Sequence, residues 1–174
     1  EESECCELSN SYMENVIKVG MADLKVCKLP DSLITLGLGS CVGICLYDSI
    51  TKVSGMAHIM LPDSKQMTRD KNPAKYADTG IDLLIHDMIQ LGADRKRLKA
   101  KIAGGAQMFA FSAAADSLGR VGDRNVEAVK AKLVSLRIPI LAEDTGLNYG
   151  RTIQFFSEDG SLLIKSVGKE LKRI

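Results

Sequence analysis

Two apolar runs separated by four turn-prone residues constrain this chain more than any other feature. Residues 41–48 (CVGICLYD) and 53–61 (VSGMAHIML) are rich in β-forming side chains and are joined by SITK. The pattern predicts a β-hairpin in which Asp48 faces Val53. That pairing sets Gly43 opposite His58 and Met60 opposite Cys41, and strand alternation puts these four on one face of the ribbon. Cys41 and His58 then become diagonal neighbours, roughly 7–8 Å apart, within reach of a long side chain. A slip of one residue would send them to opposite faces. Pro62 closes the second run.

The turn ahead of Cys41 gives this neighbourhood chemical interest. Gly37, Gly39 and Ser40 describe a backbone that bends sharply or admits a close approach. A thiol attacks well only as thiolate and is mostly protonated at neutral pH, so a nucleophilic Cys41 needs a base. The chain has two histidines. His86 falls on a helical pattern, off its apolar stripe and one turn from Asp82, where a solvated histidine is expected. His58 is tied to Cys41 by the hairpin, and Gly43 leaves room for its imidazole to lean toward the sulfur. Thr35, on the strand entering the turn, can orient the imidazole through its hydroxyl, or serve only as a β-branched strand residue. Backbone N–H groups of Gly39, Ser40 and Cys41 can face a developing oxyanion. The residues alone leave Cys41 open between nucleophile and small core hydrophobe. Cys45 shares its face but lies inside an apolar strand, and is read as core.

Further along, 16–19, 23–27 and 33–36 are short strand candidates, the last ending at GLGS. Ala77, Ile81, Leu84, Ile85, Met88 and Ile89 follow the helical period, and Gly92 ends that helix. A strand over 98–103 leads into the glycine turn AGGAQMF. A second helix is expected over about 125–136, capped by Asp123 or Asn125, with Val126, Val129 and Leu133 on one face. Residues 138–142 are strand-like, and Pro139 favours an edge. Residues 153–156 and 162–167 flank Asp159-Gly160, a strong hairpin signal. These elements predict one mixed α/β domain over 15–174, helices covering one face of the sheet system. Residues 1–14 are expected to be a poorly ordered tail, with Cys5 and Cys6 incidental to it.

The composition narrows the partners. A formal net charge of +1 supplies no broad field for nucleic acid or an anionic membrane. No apolar run reaches the roughly 18 residues of a membrane span, so no membrane insertion is expected. The polar, acidic start EESECCELSN is unlike a secretory signal peptide, so a cytoplasmic protein is expected. Five cysteines, an odd count without a CxxC pair, in a reducing compartment argue against a disulfide framework. A metal site from Cys41, Cys45 and His58 fails on distance, because four strand residues span about 13 Å. AGGAQMF lacks the Lys-Ser/Thr of a phosphate loop, and Gly104 and Gly105 are read as permitting close backbone packing beside a groove.

TLGLGSC, AHIMLPDS, KYADTGIDLL, KIAGGAQMF, VGDRNVEAVK and AEDTG occur in that order between about residues 16 and 167. As a set they resemble the CheD family of chemoreceptor glutamine deamidases. The resemblance implies hydrolysis of glutamine side-chain amides on methyl-accepting chemotaxis receptors, with Cys41 as nucleophile, His58 as base and acid, and Thr35 orienting it. It implies a three-layer α/β/β sandwich like the cytotoxic-necrotizing-factor type of cysteine deamidase, and no metal or organic cofactor. It also implies a CheC-type phosphatase as partner, met near Gly104, Gly105, Met108 and Phe109. The same chemistry would open a glutamate methyl ester. Where the family often reads D-x-G-G, this chain has Asp144-Thr145-Gly146-Leu147, which puts that turn in question. Two alternatives stand beside this reading: a general thiol amidase or peptidase, and a non-enzymatic module that regulates a phosphatase with Cys41 as packing.

Overall fold

The computed structural model describes residues 13–66, 69–108 and 120–174; Phe109 and the tail cysteines Cys5 and Cys6 lie outside this set. Its strands form two five-stranded sheets. The central sheet contains β2 (Asp23–Lys28), β4 (Val42–Asp48), β5 (Val53–Ile59), β6 (Lys99–Gly104) and β7 (Ile140–Thr145), in the order β2-β5-β4-β6-β7. The outer sheet contains β1 (Val16–Lys18), β3 (Ser32–Leu38), β8 (Arg151–Phe156), β9 (Leu162–Lys165) and β10 (Lys172–Arg173), in the order β1-β3-β8-β9-β10. Two described helices, α1 (Ala77–Gln90) and α2 (Val121–Ser135), complete the mixed α/β architecture.

Two cores explain the layering. Ile44, Leu46, Ala57 and Ile59 of the central sheet pack with Ile81, Leu84 and Met88 of α1 and Val129 and Leu133 of α2. Cys45, Tyr47 and Met56 point the other way, against Leu33, Leu38, Ile153 and Phe155 of the outer sheet. The central strands β4 and β5 are thus covered on both faces and buried along their whole length. That is why they read as unbroken apolar runs rather than alternating ones. β8 alternates buried and half-buried residues, as a strand covered on one face should.

The hairpin register agrees with the expectation: Asp48 pairs with Val53, Gly43 with His58 and Val42 with Ile59. Asp48 locks this turn from inside. It accepts from the backbone N–H of Ile50 and Asp94 and from Arg97 through Nε at 2.9 Å and Nη2 at 2.8 Å. Burial works against its charge, but these donors hold the carboxyl well below the usual carboxylate range. β7 lies at the sheet edge just after Pro139, and β8 and β9 pair across Asp159-Gly160.

β7 (Ile140–Thr145) lies later than the expected 138–142, β9 stops at Lys165 rather than 167, and two further boundary differences bear on the site. β3 runs on through Gly37 to Leu38, because a bulge between Thr35 and Leu38 absorbs one extra residue, with Gly37 at φ +68°. The bulge lets Thr35 and Leu38 both face inward despite their odd spacing, and both are fully buried. Helix α2 starts at Val121, a turn before Asn125, so neither Asp123 nor Asn125 caps it. Gly122 sits inside its first turn, where a Cβ would strike the carbonyl oxygens of Gly105 and Ala106. The glycine permits that close approach, which brings the helix start against the turn after β6.

Candidate functional site

Thr35 belongs to the outer sheet and His58 to the central one, and a hydrogen bond of 2.7 Å joins Thr35 Oγ1 to His58 Nδ1. Both residues are fully buried. The hydroxyl owns one proton, and it donates that proton to the Val19 carbonyl at 2.7 Å. A carbonyl only accepts, so Thr35 must in turn accept from His58 Nδ1–H. The tautomer follows: Nε2 carries a bare lone pair, and it is buried without a hydrogen-bond partner. Burial also holds the imidazole below its ordinary value of 6.5, which favours the neutral ring. The ring therefore presents a buried, unoccupied lone pair at Nε2.

Cys41 lies half-buried at the mouth of β4, diagonal to His58 in the hairpin register. No hydrogen bond joins its sulfur to Nε2 among the described residues. Burial pushes the Cys41 thiol above its ordinary value, and its own N–H offsets this only in part. Burial thus disfavours the charged form of both groups, the thiolate and the imidazolium. The space over Gly43 also differs from expectation. A Cβ there would meet Ile153 Cδ1 at 2.6 Å and Leu38 Cδ1 at 3.2 Å, so outer-sheet methyl groups fill the room allotted to the imidazole.

The bend before the sulfur is tied down one carbonyl at a time. Gly39 C=O accepts from Ala106 N–H at 2.8 Å, and Cys41 C=O from Gly105 N–H at 2.8 Å. Ser40 C=O accepts from the Asn125 side-chain amide at 2.9 Å. Gly104 and Gly105 take φ of +108° and +68°, and a Cβ on Gly104 would collide with the Cys41 carbonyl oxygen. Both glycines are closely packed, Gly104 against the backbone of Cys41 and Gly105 against Val126 and the Gly122 carbonyl. Met108 is half-exposed and approaches Gly39, its Cγ 3.3 Å from where a Cβ would stand. Gly39, Ser40, Cys41, Gly104, Gly105 and Met108 thus share one neighbourhood.

Cys45 is fully buried in the inter-sheet core, and burial drives its thiol far up. His86 stands exposed on α1 beside Asp87, while Asp82 pairs with Lys132 instead. The 144–147 turn is held by Arg151, whose fully buried guanidinium reaches Asp144 and the Gly146 carbonyl and lies 4.6 Å from the Tyr149 ring. Leu147 takes φ +63°, the conformation a glycine prefers, and its carbonyl accepts from Gln107 N–H. Sequence reasoning missed Arg151 and Asn125. Each left a signal: an arginine in step with inward Ile153 and Phe155, and an asparagine in step with buried Val129 and Leu133. Among the described residues no group of three His, Cys, Asp or Glu side chains could hold a metal, and no helix is long and apolar enough to cross a membrane.

Fold and site define a mixed α/β protein in which a cysteine, a histidine and a threonine converge where two sheets meet. The family model described as CheD chemotactic sensory transduction matches residues 60–166. A Lachnoclostridium phytofermentans protein named probable chemoreceptor glutamine deamidase CheD is 67% identical over 162 residues, 93% of this chain and 100% of the relative. One from Halalkalibacterium halodurans, named chemoreceptor glutamine deamidase CheD, is 56% identical over 163 residues, covering 93% of this chain and 100% of its own length. A Caldanaerobacter subterraneus relative is 56% identical over 159 residues, 91% of this chain and 98% of the relative. The chain belongs to the CheD family.

Proposed function

We propose that this chain is a chemoreceptor glutamine deamidase, hydrolysing glutamine side-chain amides to glutamate with release of ammonia. The names of its relatives supply the substrate class. The observation that carries the chemistry is the Thr35-fixed tautomer of His58, which leaves Nε2 unprotonated and unpartnered on the strand paired with β4, diagonal in register to Cys41.

With both groups neutral, nucleophile and base act together. The carboxamide enters at Cys41, Sγ bonds to its carbon, and the thiol proton passes to Nε2. The carbonyl electron pair moves onto oxygen, which takes hydrogen bonds from backbone N–H groups of the 39–41 turn. The imidazolium then protonates the departing nitrogen, ammonia leaves, and a thioester remains. Water gives a proton to Nε2 and attacks the thioester; the sulfur leaves and recovers that proton. Thr35 keeps the ring oriented throughout. A glutamate methyl ester fits the same cycle with methanol as leaving group.

The ordering of helices, central sheet and outer sheet supports kinship with the sandwich of cytotoxic-necrotizing-factor-type deamidases, within one domain over 15–174 acting in the cytoplasm. Gly104, Gly105 and Met108, beside Cys41, support a docking face there for the receptor and for a CheC-type phosphatase; Phe109 extends that proposal beyond the described residues. The test is mass spectrometry of a chemoreceptor cytoplasmic fragment after incubation with the chain. Amide-to-acid conversion at discrete glutamines, absent with Cys41→Ala, is the expected result. An unmodified fragment, or modification by Cys41→Ala, overturns the reading.

A further inference from the structure

We propose that Asn125 is a positioning residue that aims the oxyanion donors beside Cys41, a role resting on the deamidase chemistry above. Asn125 lies in the second turn of α2 and is fully buried. Its amide nitrogen has two protons and spends both on backbone carbonyls far away in sequence: Ser40 at 2.9 Å and Met60 at 2.9 Å. Ser40 precedes the sulfur-bearing residue, and Met60 lies two residues beyond His58. One side chain therefore binds the arm entering β4 to the arm leaving β5, at the end of the hairpin that holds both reacting groups.

Peptide geometry turns this fork into an aiming device. In a planar trans peptide, C=O and N–H point in opposite directions. Holding the Ser40 carbonyl toward α2 therefore turns the Cys41 N–H away from the helix. The same logic applies to the Ser40 N–H, because Ala106 holds the Gly39 carbonyl. Neither the Ser40 nor the Cys41 N–H donates to another described residue. The carbonyls of Gly39, Ser40 and Cys41 are all occupied, whereas among the described residues the Ser40 N–H meets no acceptor and the Cys41 N–H meets only its own sulfur, the arrangement an oxyanion site uses. Asn125 Oδ1 is buried without a partner. A residue kept there for packing alone would be apolar, like Val129 one turn on, since an unpaired buried carbonyl is unfavourable. Asn125 forms no bond to substrate; as Sγ attacks and electrons move onto oxygen, it keeps the receiving N–H in line.

The test compares wild type, Asn125→Ala and Val129→Ala in receptor deamidation and in Cys41 alkylation by iodoacetamide at alkaline pH. Val129 is buried on the same helix stripe but lies outside the site. Asn125→Ala is expected to lower kcat about 10- to 100-fold with KM nearly unchanged, the effect of a misaimed oxyanion donor. Val129→Ala should keep kcat within about 3-fold despite its cavity. Alkylation of Cys41 should be preserved in both variants, because displacement at a methylene builds no carbonyl oxyanion. If Asn125→Ala does not fold, Asn125→Ser, which keeps one donor on a shorter arm, carries the same comparison. Unchanged kcat overturns the proposal, and so does alkylation falling in parallel with kcat, which would make Asn125 a general support of the pocket. In both cases the deamidase reading survives. An inactive wild type or an active Cys41→Ala defeats that reading and this proposal with it.

Discussion

At the scale of single residues, the proposed mechanism concentrates the chemistry in one thiol and one lone pair. Cys41→Ala should abolish deamidation and leave the fold intact, whereas Cys45→Ala should keep turnover and lose only packing, about 1 kcal/mol in denaturant unfolding. His58→Asn should be nearly inactive. Thr35→Val is the sharper substitution, because it keeps the shape and removes the acceptor that fixes the tautomer. Its kcat should fall on the order of 10²-fold with KM retained. Burial holds His58 below 6.5, so the base stays unprotonated into mildly acidic solution, and the acid limb of kcat/KM should lie below that value. The raised thiol makes the opposite demand: Cys41 of the free chain should alkylate only as pH climbs past the ordinary thiol value of 9.0. Peptide mapping that finds fast Cys41 labelling in mild acid would show a preformed thiolate and a different resting site.

Among the elements, turns carry the site. Gly104→Ala would push a Cβ into the Cys41 carbonyl oxygen at a backbone φ of +108°. It should lose about 2 kcal/mol or more and most of its kcat, read by denaturant unfolding and ammonia release. Leu147→Gly should move the other way, gaining about 0.5 kcal/mol as the φ of +63° is relieved. The β4–β5 hairpin was legible in advance because its information is local: four turn residues between two β-rich runs admit few registers. The site's diagonal pair followed from it. The route of β3 was not legible, since the bulge at Gly37 matters only once β8 pairs beside it. The two layers of strands entered only through the family resemblance; the residue patterns did not show which strands pair, least of all the parallel pairings of β1 with β3 and β6 with β7, contacts that no short window contains. The carbonyl partners of Asn125, 85 and 65 residues away, were not legible either, and helix patterning offers Asn125 only as an alternative to Asp123 for the cap.

For the molecule as a whole, the buried titratable groups set a window of stability. The unfolded chain binds a proton at His58 near 6.5, which the buried ring resists. The unfolding free energy should therefore be fully present above that pH and erode as pH falls through it. Asp48 adds a second loss as pH falls through its unfolded value of 3.8. At the alkaline end the signs reverse. Cys27, Cys41 and Cys45 resist ionisation in the fold, so stability should decline as pH rises through 9.0. Denaturant titrations across this range should show both slopes, with His58→Asn flattening the first acidic one and Cys45→Ala reducing the alkaline one.

The bond between Thr35 and His58 has a consequence beyond catalysis, because it crosses from one sheet to the other. Proteins warmed or mildly acidified can swell, loosening side-chain packing while strands and helices persist. In this chain such swelling would draw the hydroxyl from the imidazole and free the ring to change tautomer, with every backbone ladder still intact. Turnover should then vanish at a lower temperature than the far-ultraviolet circular dichroism signal. Ammonia release thus becomes a gauge of the gap between the sheets, sensitive to their separation before either sheet comes apart.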